Sequence, residues 1–131
     1  MLLIRIKLII LEVMLYNKLA NYYDEAFKDL SVMTPRQDDD LYVSAKHLYV
    51  ILLNDRSEVD RNNFIKFLHD KKIGANLHYY PVYKFDHFSN GVSYFPCNEQ
   101  YFRTAVTIPL STKLTRENQN YIIEKIKKYL D

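Results

Sequence analysis

The spacing of apolar residues alternates along this chain between a helical and a strand-like period, and this alternation most constrains its fold. From Leu15 to Leu30, apolar residues recur at three- and four-residue steps with charged residues between them, which predicts an amphipathic helix. The run from His47 to Leu53 is continuous, aromatic and β-branched, which indicates a strand buried on at least one face. A length of 131 residues allows one domain. The chain is therefore predicted to be a small α+β domain.

The second half of the chain continues this alternation. Asp60 stands before a helical segment at 61–72, where its carboxylate can accept the free amides of the first turn, and Gly74 supplies a left-handed stop. The other predicted elements are two short strands, a short helix and a closing helix, at residues 75–80, 106–110, 96–105 and 116–130. Loops are expected at residues 31–41 and 82–95. The prediction is an α+β fold whose small three-stranded sheet, at residues 47–53, 75–80 and 106–110, carries helices on one face.

The first sixteen residues are unusually apolar. Only the charged residues Arg5, Lys7 and Glu12 interrupt the run. A membrane-spanning helix needs about 20 mostly apolar residues, and a signal peptide carries its basic residues before the apolar run rather than inside it, so no membrane partner is expected. The run predicts either a buried helix or a leader that requires a partner surface. Residues 1–30 are therefore assigned to a leading helix, with 1–15 as an atypical apolar leader, and residues 31–131 to the α+β domain.

Composition excludes several classes of function. A net charge of +2 provides no basic surface for a nucleic-acid partner. The glycines Gly74 and Gly91 lie too far apart for a phosphate-binding loop or a dinucleotide-binding fingerprint. The histidines lack the spacing of metal ligands, so no metal site is expected. A single cysteine, Cys97, excludes an internal disulfide and indicates a cytoplasmic location.

The strongest candidate site lies where the predicted strand at 75–80 ends. His78, Tyr79 and Tyr83 stand there around Pro81, at the entrance to an aromatic loop. Loops that follow strands often carry binding residues, and tyrosine combines an apolar ring with a hydroxyl group. Such residues suit a sugar ring, a nucleobase or a flat cofactor. The alternative interpretation is that these rings fill the core beneath a long loop.

Several short motifs occur in the order of one known family. They are Ser44–Ile51, Arg61 with Phe64 and Leu68, Ile73–Tyr83, Phe95-Pro96 with Glu99, and Thr107–Leu110 followed by Leu114-Thr115. In this order the chain resembles the C-terminal part of the DegT-type sugar-nucleotide aminotransferases, which depend on pyridoxal phosphate. The likeness covers Asn17 to Leu130. Within this family, the chain most resembles enzymes that aminate UDP-linked 4-keto-6-deoxy sugars for surface polysaccharides.

The resemblance implies a substrate-binding role and no catalytic role for the chain alone. In the family this region is the small domain of a fold-type-I transferase, and its His-Tyr-x-Pro segment helps to hold the sugar nucleotide. The matching residues are His78 and Tyr79, while Tyr83 stands where relatives often carry histidine. The family's Schiff-base lysine and most of its cofactor ligands lie in the large N-terminal domain. No catalytic or cofactor-binding residue is therefore assigned here, and we expect the chain alone not to bind pyridoxal phosphate.

Two functions follow from the resemblance. In the first, the chain is the C-terminal domain, a fragment or a split-gene product of such an aminotransferase and needs a missing large domain or a partner chain; family active sites form between two subunits, which implies a homodimer. In the second, it is a stand-alone, non-catalytic binding or interaction module with the small-domain fold. A leader that protrudes favours the first, and a leader that the domain covers favours the second. An unrelated α+β ligand-binding domain is the third alternative.

Overall fold

The structure, a computed structural model, describes residues 2–34, 41, 44–88 and 95–130, without the side chains of residues 2–4 and 6. Its helices are α1 (Leu2–Phe27), α2 (Glu58–Asp70), α3 (Pro96–Thr104) and α4 (Arg116–Leu130). Its strands are β1 (Val32–Met33), β2 (Tyr49–Leu53) and β3 (Ala105–Ile108), and 3-10 turns occur at Val82–Lys84 and Asp86–Phe88. Within the described ranges, none of the helices combines the length and the hydropathy that a membrane span requires.

The three strands form one antiparallel sheet in the order β1-β2-β3. In the central strand, Tyr49 lies opposite Ile108 and Leu52 lies opposite Ala105, while Met33 faces Leu52 from the other side. β3 is buried along its whole length, and β2 at all but one position. The structure therefore confirms the predicted α+β fold with a small three-stranded sheet.

One face of this sheet carries the hydrophobic core. Alternate residues of a strand point to opposite faces, so Tyr49, Ile51 and Leu53 share a face with Val106 and Ile108. The helices α1, α2 and α4 contribute most of the other buried apolar side chains of this core: Ala20, Tyr23, Phe27, Phe64, Leu68, Ile122, Ile123 and Ile126. Ile73 and Ala75, which follow α2, complete it. The short helix α3 borders the opposite face of the sheet, where its side chains line a groove together with Met33 and Leu52.

The third strand is not the one that the sequence predicts. Segment 75–80 contributes a single bridge, between Asn76 and Thr107. The Asn76 side chain accepts a 2.8 Å hydrogen bond from the Leu77 amide and so competes with pairing beyond this point. Strand β1 takes the third place instead and lies in the segment 31–41 that the sequence assigns to a loop. The rest of that segment, including the acidic run at 38–40, lies outside the described residues apart from Ser31, Thr34 and Leu41.

Helix α1 is continuous from Leu2 to Phe27, so the apolar leader and the amphipathic segment are one helix. Its second half packs on the core. Four consecutive residues of its first half are each between 54% and 59% exposed: Leu8, Ile9, Ile10 and Leu11. Because successive helical residues point about 100° apart, these four side chains cover every side of the helix. The interpretation of the leader as a buried helix is therefore wrong, and the leader protrudes.

The ends of α2 also differ from the prediction. Its N-cap is Ser57 and not Asp60, because the two residues form a capping box in which the Ser57 hydroxyl accepts from the Asp60 amide and the Asp60 carboxylate accepts from the Ser57 amide. At the other end, Lys72 takes the left-handed conformation (φ 61°) that the sequence assigns to Gly74. The inward positions Phe64 and Leu68 are confirmed.

Candidate functional site

His78 and Tyr79 lie beside the middle of β3. The His78 Nδ1 atom lies 2.9 Å from the Thr107 hydroxyl oxygen, which fixes the imidazole on the sheet. The peptide bond between His78 and Tyr79 is cis, and the two rings meet edge to face with centroids 4.7 Å apart. Tyr79 remains 73% exposed. The structure thus brings the first two predicted site residues together and leaves the Tyr79 ring in contact with solvent.

Tyr83, the third predicted site residue, lies in the first 3-10 turn and has a different environment. Its hydroxyl donates a 2.8 Å hydrogen bond to Glu99 Oε1. Its ring packs against Phe95, with centroids 4.9 Å apart. The phenol of Tyr83 is therefore engaged with the start of α3, whereas the neighbouring Tyr79 faces solvent.

Helix α3 holds the 78–84 segment at several points. The Tyr101 hydroxyl donates to the His78 carbonyl at 3.3 Å, and the Phe102 ring meets Tyr80 edge to face at 5.4 Å. Phe102 is itself anchored, since its carbonyl accepts a 2.7 Å hydrogen bond from the buried Arg61 and the guanidinium lies over its ring. α3 runs directly into β3, and both contact the segment: α3 through Tyr101 and Phe102, and β3 through Thr107.

Glu99 is the charged centre of this contact. One of its oxygens accepts from Tyr83, and the other lies 2.9 Å from the ammonium of Lys84. The bond from Lys84, followed by that from Tyr83 and by the charges of Lys84 and Arg103, lowers the pKa of Glu99. Burial, and then the bond to Glu99, raises the pKa of the Tyr83 phenol. At neutral pH the carboxylate is therefore ionised and the phenol protonated, as their hydrogen bond requires.

A groove of about 530 Å³ lies along α3 on the face of the sheet opposite the core. Its apolar floor includes Met33 and Leu52, and the polar groups of Asn54, Gln100 and Thr104 also line it. A volume of several hundred Å³ is in the range of small-ligand sites. Tyr101 lines the groove and also bonds to His78, so the groove and the 78–84 segment adjoin along one helix.

Other chemically active side chains are dispersed. In the part of the chain that the structure describes, no three His, Cys, Asp or Glu side chains lie close enough to share a metal ion. Cys97 is a free, exposed thiol. The His69 Nε2 atom lies 2.7 Å from the Ala75 carbonyl oxygen, which ties α2 to the chain that follows it. These contacts are structural and assemble no further site.

The described residues do not fit pyridoxal phosphate. A Schiff-base lysine must stand in a cofactor pocket that lowers its pKa. Lys46 is the one lysine that is buried in the described ranges, and its ammonium donates to the Asn21 side-chain oxygen at 3.0 Å, in the contact between α1 and the segment before β2. Lys84 is paired with Glu99. The remaining described lysines are exposed or only half-buried.

The fold of this chain is similar to that of solved sugar aminotransferases. The structure matches the apo form of Spr1654 from Streptococcus pneumoniae, which is described as a sugar aminotransferase, with a TM-score of 0.84 and 27% identity over 96% of this chain and 32% of that chain. The chain belongs to the DegT/DnrJ/EryC1/StrS aminotransferase family, whose model matches residues 3–127. This match includes most of the apolar leader. The family is dependent on pyridoxal phosphate, and Spr1654 has also been solved in its PLP form.

Two relatives match more than four fifths of this chain. A UDP-4-amino-4,6-dideoxy-N-acetyl-beta-L-altrosamine transaminase from Helicobacter pylori is 26% identical over 108 residues, which are 81% of this chain and 29% of that protein. The protein MJ1066 from Methanocaldococcus jannaschii is 26% identical over 116 residues, or 85% of this chain and 30% of that protein. The chain therefore spans about 30% of the length of the relatives that it matches.

The sequence analysis did not predict the residues that support the candidate site. Glu99 enters the resemblance only as part of the motif that begins at Phe95-Pro96, and Tyr101 has no motif of its own. Tyr83 and Glu99 are sixteen residues apart, with a loop between them, so no helical or strand period links them. The density of aromatic residues on both sides of that loop is the only local signal that the two segments pack together.

Proposed function

We propose that this chain is the C-terminal small domain of an aminotransferase that acts on a nucleotide-linked keto-sugar in surface polysaccharide biosynthesis, and that it is inactive alone. The observation that carries the proposal is that the chain covers a small part of its relatives' length and exposes an apolar helix within that part. It spans about 30% of its relatives, and within that span an apolar helix protrudes. A missing large domain or a partner chain would supply the Schiff-base lysine.

The exposed half of α1 supports this interpretation over a stand-alone module. A helix that is apolar on all sides is normally buried within a larger protein. Residues 8–11 are apolar and more than half exposed on every side of α1, and the family match includes them. In this proposal, the remainder of the aminotransferase fold surrounds that half of the helix. The free thiol of Cys97, the one cysteine of the sequence, supports a cytoplasmic location for the protein.

Within the aminotransferase, this chain would supply substrate-binding side chains. The exposed Tyr79 ring offers an apolar face for a sugar or a base, and His78, fixed on Thr107, sets the position of its backbone. Tyr83 belongs to the same segment. The name of the Helicobacter pylori relative, a transaminase of a UDP-linked amino sugar, supports a nucleotide sugar as the substrate class. Pyridoxal phosphate would supply the amino-transfer chemistry when it is bound by the rest of the protein.

The substrate-binding part of this proposal can be tested on the chain itself. We would titrate the isotope-labelled chain with UDP-N-acetylglucosamine and follow amide chemical shifts by NMR, with the sugar alone and UDP alone as controls. The expected shifts lie in residues 78–84 and in α3, and Tyr79→Ala reduces the affinity about fivefold or more. His47→Ala, which changes an exposed histidine outside the segment, is the matched control. Shifts confined to other surfaces, or unaffected by Tyr79→Ala, would contradict the assignment.

A further inference from the structure

Two of the contacts between α3 and residues 78–84, the segment proposed to bind substrate, are made by one carboxylate, that of Glu99. Glu99 accepts a hydrogen bond from Tyr83 on one oxygen and an ion pair from Lys84 on the other, at 2.8 and 2.9 Å. Tyr83 and Lys84 are consecutive residues of one 3-10 turn. A single side chain on a regular helix therefore fixes two neighbouring side chains of an irregular segment, which restrains both the position and the rotation of the turn.

The surroundings of Glu99 reinforce this attachment. The Lys84 ammonium also lies over the Phe102 ring, 4.8 Å from its centroid, and the Arg61 guanidinium lies at the same distance over that ring. The Lys84 and Glu99 side chains are 29% and 31% exposed, so water screens their attraction less than in a fully exposed pair. Phe102 is buried. The attachment thus rests on a buried part of α3 that is bonded to Arg61 of α2.

We propose that Glu99 is a positioning residue for the substrate-binding segment, and that Tyr83 contributes to the site through Glu99 rather than by contact with the substrate. Its carboxylate holds the turn at 82–84 and thereby sets the direction from which Tyr79 presents its ring. This inference rests on the proposed function, because it concerns the same segment. It adds a residue to which the family resemblance attaches no role, and it changes the role of Tyr83.

The test separates the two bonds. Glu99→Ala removes both, Glu99→Gln keeps an oxygen that can accept from Tyr83 but loses the charge that holds Lys84, and Tyr83→Phe removes only the hydroxyl. Glu124→Ala is the matched control, since Glu124 also pairs with a lysine, Lys125, at 2.6 Å, but on the surface of α4. For each variant we would measure amide hydrogen exchange over residues 78–84 and the affinity for UDP-N-acetylglucosamine.

Glu99→Ala is expected to accelerate exchange across 78–84 about tenfold and to weaken binding about fivefold, while Glu99→Gln recovers part of both losses. Glu124→Ala should change neither. Exchange at the wild-type rate in Glu99→Ala would overturn the proposal, and so would faster exchange with unchanged affinity, since Glu99 would then be a structural contact only. If the wild-type chain binds no nucleotide sugar, the proposed function fails, whereas the exchange rates still decide whether Glu99 holds the segment.

Discussion

The two halves of α1 form one continuous helix but differ in how far their apolar side chains are buried. In the second half, Tyr23 and Phe27 are buried, stack on each other and contact Tyr49 of the sheet. The Tyr23 hydroxyl also donates to the Pro109 carbonyl at 3.0 Å. In the first half, the equally apolar residues 8–11 are more than half exposed. Both halves thus carry large apolar side chains, but among the described residues those of the second half are the ones packed into the core.

This difference separates the part of the helix that packs on the sheet from the part whose apolar side chains are exposed. Burial of an apolar side chain stabilises a fold by about 1.5–3 kcal/mol, so the exposed half forgoes a substantial stabilisation in the isolated chain. Large exposed apolar patches usually mark sites of association. The buried half therefore positions the sheet, and the exposed half is the surface that the remainder of an aminotransferase would cover.

The largest expected effect is on the buried half. Phe27→Ala removes a fully packed ring from the contact between α1 and the sheet, and truncation of a buried phenylalanine costs about 3–5 kcal/mol. We expect the free energy of unfolding, measured by urea denaturation with circular dichroism, to fall by this amount. A loss below about 1 kcal/mol, close to the range of surface substitutions, would show that α1 is not part of the core.

A smaller loss is expected where α4 is tied to the same half of α1. Gln119 is buried, and its amide nitrogen donates to the Leu19 carbonyl at 2.7 Å, while its amide oxygen is buried without a hydrogen-bond partner. Gln119→Ala loses the bond and leaves a cavity, which should cost about 2 kcal/mol. Gln119→Met keeps the volume and removes the unpaired oxygen, so it should recover most of that loss in the same denaturation experiment. Equal losses in both variants would contradict this account.

The buried half should also become less stable at alkaline pH. Burial raises the pKa of Tyr23 above its ordinary value of 10.0, and burial together with the hydrogen bond to Asp24 raises the pKa of Tyr49. A group whose pKa is raised in the folded state contributes its full stabilisation at pH values below its pKa in the unfolded state. This contribution is lost as the pH rises above about 10, by up to about 1.4 kcal/mol per pH unit for each group. Urea midpoints at pH 9 and pH 11 should therefore differ more in the wild type than in Tyr23→Phe/Tyr49→Phe. Equal pH dependence would contradict the burial of these phenols.

The smallest effect is expected on the exposed half. Leu11 is 56% exposed, so Leu11→Ala should change the free energy of unfolding by no more than about 0.5 kcal/mol. The Leu11→Ala chain should nevertheless bind less of an apolar fluorescent dye than the wild type, because the substitution removes accessible apolar surface. A stability loss near that of Phe27→Ala would mean that the first half of α1 is covered after all.

Sequence patterns predicted the elements in which apolar residues recur with a clear period. They did not predict the elements that depend on contacts between distant residues. The closing helix at 116–130 and the inward face of α2 follow from spacing alone, and both are confirmed. Strand β1 has only two residues, too few for any period to show. The Tyr83–Glu99 bond joins two segments across a loop, and only the folded chain brings them together. The sequence could therefore indicate His78 and Tyr79 by resemblance, but not the carboxylate that holds their segment.

The central claim is that this chain carries a substrate-binding segment without a cofactor site, and it is tested most directly by pyridoxal phosphate itself. The purified chain would be titrated with the cofactor, followed by absorbance at the aldimine band, then reduced with borohydride and mapped for modified lysines by mass spectrometry. The urea-unfolded chain gives the background from accessible lysines. The account predicts no saturable aldimine and no lysine labelled above that background. Saturable formation of an aldimine on one specific lysine, lost on unfolding, would contradict it.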